Sequence, residues 1–118
     1  MSEDLCRVMQ EGPVYILELR LPSHLDSGEF DRLNDAVLAA LAAQPAGRWV
    51  VDLTSLTYAG SLLLGLMVNV RQRVLEAGGQ LALCGLSARL MGIFTACCLE
   101  RLFDICNTRA EAIRVSGR

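Results

Sequence analysis

The 118-residue sequence has no lysine; all eleven of its basic residues are arginine. This excludes Schiff-base chemistry and the lysine of a phosphate-binding P-loop. Histidine is nearly absent as well. His24, the single one, follows Pro22 and Ser23 in an expected loop, where an imidazole is a solvated side chain rather than a base or a ligand. The five cysteines (Cys6, Cys84, Cys97, Cys98 and Cys106) form no C-x-x-C pair and have no histidine cluster to join, so neither zinc nor another cofactor is expected. An odd cysteine count behind the acidic opening "MSEDLCRVMQ", which lacks signal-peptide order, reads as reduced and mostly buried thiols. No apolar run reaches the ~20 residues of a spanning helix; Asn69 and Arg71 end the longest candidate. The net charge of −2 is interspersed, leaving no basic stripe for nucleic acid. A cytoplasmic, soluble protein is the expectation.

What is present is an alternation of strand and helix signals. "YILELRL" (15–21) alternates as a strand and pairs through Gly12-Pro13 with an earlier strand near "LCRVMQ". A helix follows from Asp26 or Ser27 as N-cap, with Phe30, Leu33, Val37, Leu38 and Leu41 on one face, until Pro45 and Gly47 stop it. "RWVVDL" (48–53) has the continuous apolar character of a central strand covered on both faces. A second helix spans about Ser61 to Ala77 and ends at Gly78-Gly79. "QLALCGL" (80–86) is a further strand, "SARLMGIFTACC" (87–98) a helix capped by Ser87, "LFDIC" (102–106) a short strand and "TRAEAIRV" (108–115) a last helix. The order implies one α/β domain: a mixed sheet of four or five strands, with about four helices mainly on one face.

From "RWVVDLTSLTYAGSLLLG" through "GGQLALCGLSARL" to "CLERLFDICNTRAEAI" the chain resembles a STAS domain of the bacterial anti-sigma factor antagonists. The match covers roughly residues 5–115 and is most specific after residue 48. The family's strand ends in an aspartate–leucine pair, here Asp52-Leu53. Its motif then runs phenylalanine–x–aspartate–serine–serine–glycine–leucine–glycine. The resemblance implies a regulatory, non-enzymatic module whose motif serine, here Ser61, is phosphorylated by a partner anti-sigma factor, a serine kinase of the histidine-kinase-like ATPase type. It also implies a partner surface at this helix start and the next helix. The motif is degenerate: Gly60 replaces the aspartate, Leu62 the second serine and Leu63 the first glycine, whereas Leu64 and Gly65 match. Met91 and Gly92 stand where arginines are frequent, and Cys98 where glycine is usual.

Two roles compete for Ser61. A serine starting a helix can cap it, worth ~1 kcal/mol. A phosphate at the same place would meet free N–H groups and add about −1.5 to −2 charges to a partner surface. On the helix, Leu63, Leu66, Met67, Val70 and Val74 define the sheet-facing side, with Leu64, Val68 and Leu75 widening it. Leu62, Gly65, Asn69, Gln72 and Arg73 then face outward. The expected partner-binding set is Gly60, Leu62, Leu63, Gly65 and Met91, for an anti-sigma factor kinase, another STAS-containing assembly (stress-signalling or transporter) or a second copy of the chain. A phosphorylation-independent adaptor is the alternative. An enzyme or small-molecule binder has less behind it, because no base stands ready to activate Ser61 or a cysteine.

Overall fold

The computed structural model describes residues 5–22 and 25–116; His24 therefore lies outside the described residues. Strands β1 (Cys6–Glu11) and β2 (Val14–Leu19) form an antiparallel hairpin across the Gly12-Pro13 turn. Gly12 takes a φ of +59° there, the left-handed conformation that a tight turn needs. Strands β3 (Arg48–Asp52), β4 (Gln80–Cys84) and β5 (Asp104–Cys106) join β2 in parallel, giving the order β1-β2-β3-β4-β5. The sheet is thus five-stranded and mixed, with β3 at its centre.

Strand periodicity divides the interior into two layers. Leu17, Leu19, Trp49, Val51, Leu53 and Leu83 project into the larger core, under helices α1 (Ser27–Ala43), α2 (Ser61–Glu76) and α3 (Ala88–Ala96). Val14, Ile16, Val50, Ala82, Cys84 and Cys106 face the other way, towards the single helix α4 (Arg109–Ser116). Val50 and Val51 are both fully buried, as a strand covered on both faces requires.

The helices start and stop for local reasons. Asp26 caps α1 with a reciprocal capping box: its Oδ1 accepts from Glu29 N at 2.7 Å, and Glu29 Oε1 accepts from Asp26 N at 3.1 Å. Ser87 caps α3 by accepting from Leu90 N at 3.1 Å. Gly78, with a φ of +82°, ends α2. All five residues assigned to the sheet side of α2 are buried. Leu75 is not part of that stripe; it is 48 % exposed on the last turn.

The thiols are less buried than their number and setting suggest. Cys84 and Cys106 are buried, but Cys97 and Cys98 are exposed, because α3 ends there and the chain turns into a short 3-10 segment, Leu99–Arg101. Cys98 makes that turn at a φ of +59°, the left-handed region where a glycine would sit without steric cost.

Candidate functional site

The loop 53–60 carries the chain from the end of β3 to the start of α2, and two anchors fix it. Leu53 N donates to Cys84 O at 2.9 Å, and Leu56 N to Leu53 O at 2.9 Å. Leu56 and Ala59 are buried in the larger core. Gly60 is the N-cap, in extended backbone, and the first helical hydrogen bond runs from Leu64 N to Gly60 O at 3.0 Å.

Ser61 therefore does not cap the helix. A capping side chain needs the extended backbone that belongs to Gly60, whereas Ser61 is already the first helical residue. No side-chain cap bond is made, and the Ser61 hydroxyl is exposed without a hydrogen-bond partner among the described residues. Helix geometry leaves the amides of Ser61, Leu62 and Leu63 without intrahelical acceptors. No acidic residue in the first turn offsets the positive end of the helix dipole.

Leu62, at 62 % exposure, projects from the helix. Leu63 is 7 % exposed and packs in the larger core, so of the expected contact residues it has little left to offer a partner. Gly65 is exposed, and a Cβ built on it meets nothing within 4 Å. Met91 is half-buried on α3. An open cleft of about 760 Å³ lies beside Ser61, its lining drawn from the β2–α1 connection, α1, the loop 53–60, α2 and α3. Gly60, Leu62 and Leu63 line it, but Gly65 and Met91 do not. Arg89 represents α3 instead, its guanidinium carbon 5.4 Å from the ring centroid of exposed Tyr58. Sequence patterning carries no sign of this pair, because the two residues are distant along the chain and adjoin only through the fold.

A few residues upstream the chemistry is the opposite. Asp52 is 5 % exposed at the end of β3. Its Oδ1 accepts from Thr54 N at 2.9 Å and Thr54 Oγ1 at 2.5 Å, and its Oδ2 from Arg109 Nε at 2.9 Å and Nη2 at 2.7 Å. Arg109 Nη2 also reaches Glu18 Oε2 at 2.8 Å, and Arg20 Nε holds Glu18 Oε1 at 2.9 Å. Burial pushes both carboxyls up, yet the hydrogen bonds from Thr54 and Arg109 hold Asp52 below its ordinary value. Those from Arg109 and Arg20 do the same for Glu18. Burial, helped by the Asp52 charge, pushes the neighbouring Cys84 thiol up to about 12 and keeps it neutral. Gly85 closes this cluster at a φ of +77°; a Cβ there would collide with Thr54 Oγ1 and lie 2.9 Å from Thr54 N. The cluster fastens α4 to β2 and β3. It is a structural tie.

A mixed sheet is thus fastened to α4, and the connection that leaves β3 ends in an α2 start without a side-chain cap. The STAS domain family model matches residues 8–112, and the chain belongs to the STAS domain family. Among solved structures it is similar to an anti-sigma-factor antagonist (STAS) domain protein from Planctomyces limnophilus. Identity is 24 %, coverage 96 % of this chain and 98 % of that one, and the TM-score 0.81. It is also similar to the Bacillus cell fate determinant SpoIIAA in its phosphorylated form (17 % identity, 92 % and 96 % coverage, TM-score 0.65). A structure described as the molecular architecture of the stressosome is a third (13 % identity, 94 % and 96 % coverage, TM-score 0.76). Comparison with curated proteins finds no significant match. No helix among the described residues is long and apolar enough to cross a membrane.

Proposed function

We propose that this domain is a non-enzymatic protein-interaction module of the anti-sigma factor antagonist kind. It binds an anti-sigma factor with serine-kinase activity through the start of α2, and phosphorylation of Ser61 dissolves the complex. The observation that carries this reading is the spare hydroxyl: Ser61 is exposed, uncapped and outside the hydrogen-bond network. A phosphate there would be favoured by the free amides and the helix dipole, and would place its charge beside exposed Leu62. Gly65 supports the same surface. A mid-helix glycine costs roughly 0.5–1 kcal/mol against alanine, and no contact here demands one. Its absence of a side chain lets a partner come close.

A second reading, an adaptor that works without phosphorylation in a stress-signalling or transporter assembly, draws on Gly60 and Leu62. They make the surroundings of Ser61 apolar where the family motif is polar. Affinity capture from the source cell separates the two. Wild type should retain an ATPase-type anti-sigma factor. Leu62→Glu and Ser61→Asp should both lose it, and Leu75→Glu, exposed on the far turn of the same helix, should keep it. Retention by Ser61→Asp with loss by Leu62→Glu would favour the adaptor.

A further inference from the structure

The cleft beside Ser61 is roomy as well as apolar. Its volume of about 760 Å³ falls in the ~300–1,000 Å³ range of small-molecule sites. Buried Leu56 and Leu63 with half-buried Leu25 and Phe30 make its interior apolar, and exposed Leu62 and Tyr58 border it. Beside the hydroxyls of Ser55, Thr57, Tyr58 and Ser61, the charge it offers among the described residues is of one sign. No acidic side chain lines it among the described residues, whereas Arg89 does. Arg89 makes no ion pair among the described residues, and its stacking on Tyr58 leaves the edge N–H groups available. The unpartnered first-turn amides of α2 add partial positive charge at the same place. Asp26, next to Leu25, is committed elsewhere, with its Oδ1 on Glu29 N at 2.7 Å.

The geometry points to a binding site for a single-chain carboxylate amphiphile. Its aliphatic chain lies against half-buried Leu25 and Phe30 and exposed Leu62, and its carboxylate sits between Arg89 and the amides of Ser61 and Leu62. Charge complementarity selects the anion, and the apolar lining selects the chain. The inference stands apart from the phosphorylation switch, but the two intersect: a bound carboxylate covers the Ser61 hydroxyl and competes with its modification.

An NMR titration of the ¹⁵N-labelled full chain tests this with octanoate, 1-octanol and inorganic phosphate as probes. Octanoate should produce saturable shifts at the amides of Tyr58, Ser61, Leu62 and Leu63, with an affinity about tenfold above that of octanol, as expected of a charge-assisted head group. Phosphate alone should not saturate. Arg89→Gln, at an exposed position, should keep the wild-type spectrum elsewhere and reduce octanoate to the affinity of octanol. Equal affinity for octanoate and octanol in the wild type would overturn the charged head-group site. Saturation by phosphate to the same degree would overturn the apolar part. Shifts confined to other residues, or none below the micellar concentration, would overturn the whole.

Discussion

Asp52 and Ser61 lie on the same connection, nine positions apart, and are treated in opposite ways. Around Asp52 every charge is answered: both carboxylate oxygens are bonded, Arg109 spans two acids, and Gly85 gives up its side chain so that Thr54 can close on the carboxylate. Around Ser61 little is answered: the hydroxyl, the first-turn amides and the Leu62 side chain all face solvent. Burial of an ion pair is tolerable only when its hydrogen bonds are complete, so the first region is built to hold α4 on the sheet. Unsatisfied groups at a surface cost little while water serves them. They remain available to whatever displaces that water. The two ends of one connection thus hold a closed, stabilising cluster and a set of groups left open to solvent.

The comparison can be broken by substitution, and the largest effect belongs to the tie. Asp52→Ala should cost about 3 kcal/mol in urea unfolding, because Arg109 and Thr54 lose their buried acceptor; a cost below about 1 kcal/mol would place the cluster with ordinary surface ion pairs. The tie also has a pH signature. Asp52 and Glu18 have depressed values in the folded state, so their contribution is complete at neutral pH. It declines as pH falls through the unfolded carboxylate range of ~4 towards the folded values. Asp52→Asn should flatten that acid limb in a pH series of unfolding curves.

Gly85→Ala should cost about 2 kcal/mol, because its φ of +77° and the approach of Thr54 leave no space for a methyl group. Gly65→Ala sharpens the contrast from the other side: it should gain roughly 0.5–1 kcal/mol while weakening partner binding. Loss of stability there would show a packing role that the open surroundings of Gly65 do not suggest. The smallest effects belong to the recognition side. Ser61→Ala and Leu62→Glu should each stay within about 0.5 kcal/mol of wild type. A Ser61→Ala cost near 1 kcal/mol would restore the capping role.

Much of this architecture is written locally. The hairpin turn, the helix faces and the glycine stop of α2 follow from spacing, and all five residues expected on the sheet side of α2 lie in the core. A burial stripe is a short-range property. What escaped was set by the fold. Ser61 and Gly60 compete for the same cap, and sequence could not say which one carries the extended backbone. Asp52 was legible as half of a family pair, but its partners Arg109 and Glu18 come from other strands and helices. The approach of Arg89 to Tyr58, and with it the cleft, required the third dimension. The exposed Cys97-Cys98 pair depended on where α3 ends, the least certain part of any helix signal.

The proposal that the Ser61 hydroxyl is kept free for modification is tested most directly by site-resolved mass spectrometry of the protein isolated from its source cells. The cleft wall also carries Ser55 and Thr57, so the neighbouring hydroxyls provide an internal control. Phosphate should be found on Ser61, at an occupancy that changes with growth condition, and not on Ser55 or Thr57. Phosphate on either neighbour with Ser61 never modified would contradict the account.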